Sequence, residues 1–166
     1  MLEHLILEMI QYYTGDPRRI QHFIKVHDFA RTIGKLESID NQTLFVLETA
    51  AIVHDIGIKV CEEKYSSCEG KLQEQEGPAV AEPMLKRIGF DEEVINRVCY
   101  LIGHHHTYDN MDGMDYQILV EADFLVNLYE DAASIDAVEN AYQKIFRTES
   151  GKKICREIFE LGGNNI

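Results

Sequence analysis

The chain has 166 residues, of which 45% are hydrophobic, so it is long enough for one globular domain with a substantial core. Acidic residues outnumber basic ones by 29 to 16, and the formal net charge of −13 argues against duplex nucleic acid as a partner, because such a surface repels phosphate backbones. No apolar stretch approaches the roughly 20 residues that cross a bilayer, and the first residues lack the basic segment of a secretory signal. The four cysteines form no CxxC pair, so we expect reduced thiols in a cytoplasmic protein without a membrane partner.

Helical periodicity runs through most of the sequence, whereas no strand-like alternation of convincing length occurs. Asp16 before Pro17 is typical of a helix N-cap followed by proline in the first turn. The least regular segment, 58–72, is rich in polar residues, and we expect it to be a loop. The expected helices, in chain order, cover 2–13, Pro17 to about Ile33, 42–54, 77–88, 91–104, 116–130, 134–146 and 150–161.

These elements predict a single all-α domain, a helical bundle over residues 1–161, with residues 162–166 as a frayed tail. The C-terminal helices, about 134–161, carry apolar residues that either pack on the bundle or form the contact face of a homodimer. Core packing is the more common use of such residues.

His54 and Asp55 stand next to each other at the end of the apolar run 45–53. Unpaired imidazole and carboxylate groups are costly to bury, whereas a bound cation would satisfy both. In the second helix, His22 shares its face with Val26 and Ala30, and we therefore prefer it to His27 as a buried ligand.

Two further stretches carry ligand-capable residues. Three consecutive histidines, 104–106, follow an apolar helix, and Asp123 interrupts the apolar run 118–126 with Leu119 and Val120 on its own face. Taken singly, each of these residues has an ordinary structural explanation, such as a hydrogen-bonded core histidine or an exposed turn. Taken together, His22, His54, Asp55 and Asp123 form an N₂O₂ set that suits Mn²⁺, Fe²⁺, Co²⁺ or Zn²⁺.

The ordered set His22, His54-Asp55 and Asp123 resembles the H…HD…D signature of the HD-domain superfamily of metal-dependent phosphohydrolases. The resemblance covers about residues 16–130 and includes the local sequences AAIVHDIG and VEAD around the motif residues. It implies a helical bundle of the HD-domain type, in which His22, His54, Asp55 and Asp123 hold one divalent metal.

Relatives with two metals add histidines, and here the resemblance implies His104 and His105 as ligands of a possible second metal. Those relatives also have a histidine four residues before a glycine, which corresponds here to Gly77. The matching position holds Gln73, a poor divalent ligand. We therefore expect one firm metal site and a weaker second one.

The resemblance implies hydrolysis of a phosphomonoester or phosphoanhydride of a small metabolite, with a nucleotide as the first expectation, by a metal-activated water. Asp55, Asp123 and His105 are the catalytic candidates, because carboxylates and imidazoles can exchange a proton with that water. Arg19 and Lys64 are candidates for contact with the phosphorylated substrate. Two alternatives remain: a regulatory module that binds metal or ligand without turnover, and a di-iron oxygenase, against which Gln73 argues.

Overall fold

Nine helices and no strand make up residues 1–162, the part of the chain that the computed structural model describes. This confirms the all-α prediction. Residues 163–166, most of the expected tail, lie outside the described range. The helices are α1 Leu2–Tyr12, α2 Pro17–Leu36, α3 Asn41–Val53, α4 Gly57–Tyr65, α5 Gly70–Ile88, α6 Glu92–Ile102, α7 Met114–Glu130, α8 Ile135–Lys144 and α9 Glu149–Phe159.

Helix α3 lies at the centre of the bundle, where it packs against α1, α2, α6 and α7. Every residue from Val46 to Val53 is buried, as expected of a helix surrounded by other helices. Helix α2 packs along both α3 and α7, so three helices that carry motif residues meet in the core. None of the helices within residues 1–162 is long and apolar enough to span a membrane.

Helix α2 begins as the sequence predicts, since Asp16 accepts a hydrogen bond from the backbone N–H of Arg19 at 3.1 Å. It continues to Leu36, three residues beyond the expected end. Gly34 does not break the helix but allows a close approach, because a Cβ atom there would lie 2.9 Å from Cδ1 of Leu44.

The expected loop over 58–72 is wrong, because most of this segment is helical. Helix α4 covers Gly57–Tyr65 and α5 begins at Gly70, so only residues 66–69 connect them. The lysines and glutamates of α4 are good helix formers that face solvent, whereas Gly57 and Cys61 are buried. Polarity in this segment therefore marks an exposed helical face and not a loop.

Gly57 fixes the position of α5 beside the His54-Asp55 turn. A Cβ atom at Gly57 would lie 2.8 Å from the carbonyl oxygen of Gln73 and 2.9 Å from the backbone nitrogen of Gly77. Because both are backbone atoms of α5, a side chain at Gly57 would force α4 and α5 apart. The absence of this side chain allows α5 to lie close to the His54-Asp55 turn.

The two C-terminal helices are attached to α7 through a buried carboxylate. Glu121 accepts hydrogen bonds from the backbone N–H groups of Arg147 at 2.6 Å and Thr148 at 2.9 Å, in the connection between α8 and α9. Phe146 is fully buried, whereas Ile158 is 42% exposed. The apolar residues of this region thus pack mainly on the bundle.

Candidate metal centre

His22 in α2, His54 directly after α3 and Asp123 in α7 bring their ligand atoms to one buried point. The Nε2 atom of His22 lies 3.2 Å from Nε2 of His54 and 3.2 Å from Oδ1 of Asp123. Oδ2 of Asp55 lies 3.4 Å from each of the two imidazole nitrogens. We call these four residues the inner group. Ligands about 2.0–2.2 Å from a tetrahedral ion lie roughly 3.3–3.6 Å apart, so the spacing is close to that of a coordination shell.

The hydrogen bonds of the two histidines determine which nitrogen faces the centre of the inner group. Nδ1 of His54 lies 2.9 Å from the carbonyl oxygen of Ala51, which can only accept, so Nδ1 carries the proton. Nδ1 of His22 lies 3.1 Å from a carboxylate oxygen of Glu130, with the same consequence. In their neutral forms, both rings therefore direct an Nε2 lone pair at the Asp55 and Asp123 carboxylates. Four acceptors converge without a donor among them, which is the chemistry that a divalent cation satisfies.

In the absence of a cation, the same carboxylates favour protonation of the two histidines. Burial by itself lowers the pKa of His54, but the Asp55 and Asp123 carboxylates outweigh burial and raise it well above the usual value. Burial by itself also lowers the pKa of His22, but the hydrogen bond with Asp123 and the charges of Asp55 and Asp123 together raise it above the usual value. Burial by itself raises the pKa of Asp55, but His54 and the other neighbouring histidines together outweigh burial and hold this pKa well below its usual range.

A second set of ligand atoms adjoins the first and shares Asp55 with it. Asp55, His105 and His106 also place one ligand atom each within 4.8 Å of the others, and we call them the outer group. Nδ1 of His105 lies 2.7 Å from the carbonyl oxygen of Ile102, so its Nε2 faces Oδ1 of Asp55, 3.5 Å away. That Nε2 atom is buried and has no hydrogen-bond partner within residues 1–162. A bound cation, or a substrate group that donates a hydrogen bond, would supply the missing partner.

His104 does not belong to either group, contrary to the expectation for a second metal. Its Nδ1 lies 2.7 Å from the carbonyl oxygen of Tyr100, and its ring stacks on the Tyr100 ring at a centroid distance of 4.4 Å. His106 takes its place in the outer group. Three consecutive residues in a turn point in different directions, and nothing in the local sequence indicates which of them face the core.

Gln73 occupies the position where two-metal relatives have a histidine, and it lies beside the outer group. Its Oε1 is 3.2 Å from Nε2 of His106. The neighbouring acids, Glu74 and Glu76, have other partners and do not replace the missing ligand. Glu74 accepts hydrogen bonds from the backbone N–H of His106 at 3.0 Å and from Lys71 at 3.0 Å, while Glu76 pairs with Lys64 at 2.5 Å.

A cavity of about 270 Å³ opens next to the inner group. Arg18 and Arg19 form part of its wall, which is compatible with the expected contact between Arg19 and a substrate. The Arg19 guanidinium also pairs with Glu62 at 2.5 Å and Asp16 at 3.1 Å. The lining residues are Asp16, Arg18, Arg19, His22, Asp55, Ile58, Cys68, Asn127 and Glu130.

Lys64, the other expected substrate contact, does not line this cavity. It lies in the last turn of α4 and faces α5, where it pairs with Glu76, which also accepts a hydrogen bond from the Tyr65 hydroxyl at 2.8 Å. The expectation rested on treating this segment as a loop near the motif. Because the segment is a helix, Lys64 is directed away from the cavity.

Two residues of α7 were not among the sequence candidates. Asn127 donates a hydrogen bond to Oδ1 of Asp123 at 2.8 Å, and Glu130 contacts His22. Their spacing of four and seven residues after Asp123 puts all three on one helical face, a signal that the sequence does contain. The contact between Glu130 and His22 spans 108 residues and has no such local signal.

The fold and the two groups define a class of protein: an all-α bundle with a candidate divalent-metal centre enclosed by its central helices. A family model described as HD domain matches residues 19–145, so the chain belongs to the HD domain family, and the resemblance is confirmed. The crystal structure of a predicted HD superfamily hydrolase from an uncultured Thermotogales bacterium is similar, with a TM-score of 0.69 and 23% sequence identity. The similarity covers 96% of this chain and 85% of that one, and it shows a shared fold. No curated protein matches the chain. Family, fold and the His/Asp groups support a metal-dependent hydrolase of the HD family.

Proposed function

We propose that this protein is a metal-dependent phosphohydrolase that cleaves a phosphomonoester or phosphoanhydride bond of a small metabolite, with nucleotides as the first substrates to test. In this proposal His22, His54, Asp55 and Asp123 hold one Mn²⁺, Fe²⁺, Co²⁺ or Zn²⁺ ion. The observation that carries the proposal is the convergence of two imidazole nitrogens and two carboxylate oxygens beside a cavity whose wall includes two arginines.

A divalent cation bound by the inner group would polarise a phosphoryl oxygen and lower the pKa of a coordinated water. The protein's own contribution is the placement of the groups around that point. His105 directs its Nε2 atom toward Asp55, which lines the cavity, and it can accept a proton from a water held beside that carboxylate. Arg18 and Arg19 form part of the cavity wall and offer positive charge to a phosphate bound there.

We further propose that the outer group binds a second metal ion weakly. It offers Asp55, His105 and His106, but Gln73 is present where another histidine would complete the set. Nε2 of His105 cannot serve as a metal ligand and as a proton acceptor at the same time. Occupation of the outer group would therefore change the role of His105, and proton acceptance would fall to another group.

The test is phosphate release from a panel of nucleotides and sugar phosphates by metal-stripped protein reconstituted with each of the four metals. His54→Ala and Asp55→Ala remove members of the inner group and should abolish turnover and strongly weaken metal binding. His104→Ala is the matched control, because it removes a neighbouring histidine whose ring stacks on Tyr100 outside both groups.

Turnover that needs metal, vanishes in both inner-group variants and persists in His104→Ala is the expected result. Stoichiometric metal binding without turnover on any substrate of the panel would contradict the hydrolase and favour a regulatory module. Equal loss of activity in all three variants would contradict the assignment of the inner group.

A further inference from the structure

His22 differs from the other inward-facing histidines in the group that holds its Nδ1 atom. His54 and His105 donate to backbone carbonyl oxygens of Ala51 and Ile102, which are neutral. His22 instead lies 3.1 Å from a carboxylate oxygen of Glu130. A hydrogen bond to an ionised acceptor is stronger than one to a neutral carbonyl, so the three rings are not equivalent.

Glu130 is itself held in place. Its side chain is only 13% exposed, and its other carboxylate oxygen, Oε1, lies 2.5 Å from Nζ of Lys25. Lys25 lies three residues after His22 on α2, while Glu130 is the last residue of α7. Helices α2 and α7 thus carry His22 and Asp123 of the inner group, and they also carry the ion pair between Lys25 and Glu130 that supports His22.

We propose that Glu130 is a positioning residue that acts through His22 and sets the metal affinity of the inner group. This inference rests on the metal centre proposed above. A carboxylate that accepts a hydrogen bond from the Nδ1–H group fixes the orientation of an imidazole ring and increases the electron density at its Nε2 atom. Lys25 neutralises part of the carboxylate charge and thereby limits this effect.

The experiment is a titration of metal-free protein with Co²⁺, followed by calorimetry and by the visible absorption spectrum of the bound ion. Glu130→Gln retains the size of the side chain and removes its charge. We expect it to lower the Co²⁺ affinity about 10- to 100-fold and to shift the visible bands, because the donor strength of His22 changes.

Asp131→Asn is the matched control. It removes the adjacent acidic charge, but the Asp131 side chain is 68% exposed, and it pairs with Arg18 at 3.6 Å and with no member of the inner group. We expect its affinity and spectrum to be those of the wild type. An equal loss in Asp131→Asn would show that net charge alone controls binding, and it would overturn the role of Glu130.

Lys25→Met separates this role from that of a merely structural ion pair, and it tests the inference even where Glu130→Gln fails to fold. It removes the counter-ion but leaves Glu130 beside His22, so we expect an affinity at least equal to that of the wild type. A loss as large as that of Glu130→Gln would mean that the pair only holds α2 against α7, which would overturn the inference.

The failure of the metal centre and the failure of this inference give different results. Wild-type protein that binds no Co²⁺ would overturn the centre itself, and the role of Glu130 with it. Wild-type protein that binds Co²⁺, beside a folded Glu130→Gln variant with the same affinity and spectrum, would overturn the role of Glu130 alone.

Discussion

The inner and outer groups share Asp55 but differ in what holds their other members. His22, His54 and Asp123 are all buried and come from α2, the end of α3 and α7, which pack extensively against one another. His105 and His106 come from the connection between α6 and α7, and His106 is partly exposed. A ligand set on packed helices is positioned by the core, whereas a set on a connection depends on a few individual hydrogen bonds.

Side chains elsewhere in the chain also form hydrogen bonds that hold the outer group. The Tyr116 hydroxyl lies 2.5 Å from the carbonyl oxygens of both His104 and Thr107, one on each side of the two outer-group histidines. Glu74 accepts a hydrogen bond from the backbone N–H of His106. The outer group should therefore bind metal more weakly and respond more strongly to changes outside it.

Removal of the shared residue should have the largest effect. Asp55→Ala deletes a ligand oxygen from both groups, since Oδ2 faces the inner group and Oδ1 faces His105. If a four-ligand site supplies about 10–16 kcal/mol, one ligand carries about 3 kcal/mol, or roughly a 100-fold loss of affinity. The metal content of the protein after dialysis measures this loss of affinity. Asp109→Ala, at an exposed position, is the control, and an Asp55→Ala protein that retained its metal would contradict the shared ligand.

The metal affinities of the two groups should depend differently on pH. The pKa values of His22 and His54 are raised, so protons compete with metal at the inner group, and its affinity should fall as the pH decreases. Each proton that the metal displaces changes the apparent metal affinity by up to about tenfold per pH unit. Burial and the neighbouring His105 instead lower the pKa of His106 to about 4, so that ring stays neutral near pH 7.

Titrations with Co²⁺ between about pH 6 and pH 8 check this difference. Calorimetry in buffers of different ionisation enthalpy should detect proton release when the inner group fills. A pH-independent affinity of the first ion would contradict the raised pKa values.

Strengthening the outer group should raise the metal content of the protein. Gln73→His places an imidazole beside His106, where Oε1 of Gln73 lies now, and imidazole is the better divalent ligand. We expect the second ion to gain on the order of 2 kcal/mol of binding free energy and to survive dialysis. Gln75→His adds a histidine at an exposed position of the same helix and should change nothing. Equal metal content in both variants would show that a histidine at position 73 does not add a ligand to the outer group.

Tyr116→Phe should produce the smallest effect. It removes the hydroxyl that lies between the carbonyls of His104 and Thr107, at a cost of about 1 kcal/mol in the free energy of unfolding. We expect weaker binding of the second ion and an unchanged first ion, because the Tyr116 hydroxyl hydrogen-bonds next to the outer-group histidines and not to the inner group. Urea unfolding and metal titration measure both, with Tyr129→Phe, at a side chain that is 71% exposed, as the control. A weakened first ion would contradict a role of Tyr116 that is limited to the outer group.

Much of the fold and the composition of the inner group could be predicted from local sequence. The inward face of α2 follows from helical spacing, and the structure does bring His22 together with His54, Asp55 and Asp123. Helix α4 was missed because its lysines and glutamates suit a solvated helix as well as a loop. Lys64 was misplaced for the same reason.

The amino-acid sequence by itself determined the all-α class, the apolar faces that enclose the centre, and the residue types at the His54-Asp55 turn. All of these depend on periodicity and on the chemistry of residues that are close in the chain. Only the tertiary structure decided that His105 and His106 face Asp55 while His104 does not, and that Glu130 supports His22 across 108 residues. Such contacts depend on how α2, α6 and α7 pack against one another, and the spacing of residues within a single helix carries no information about that packing.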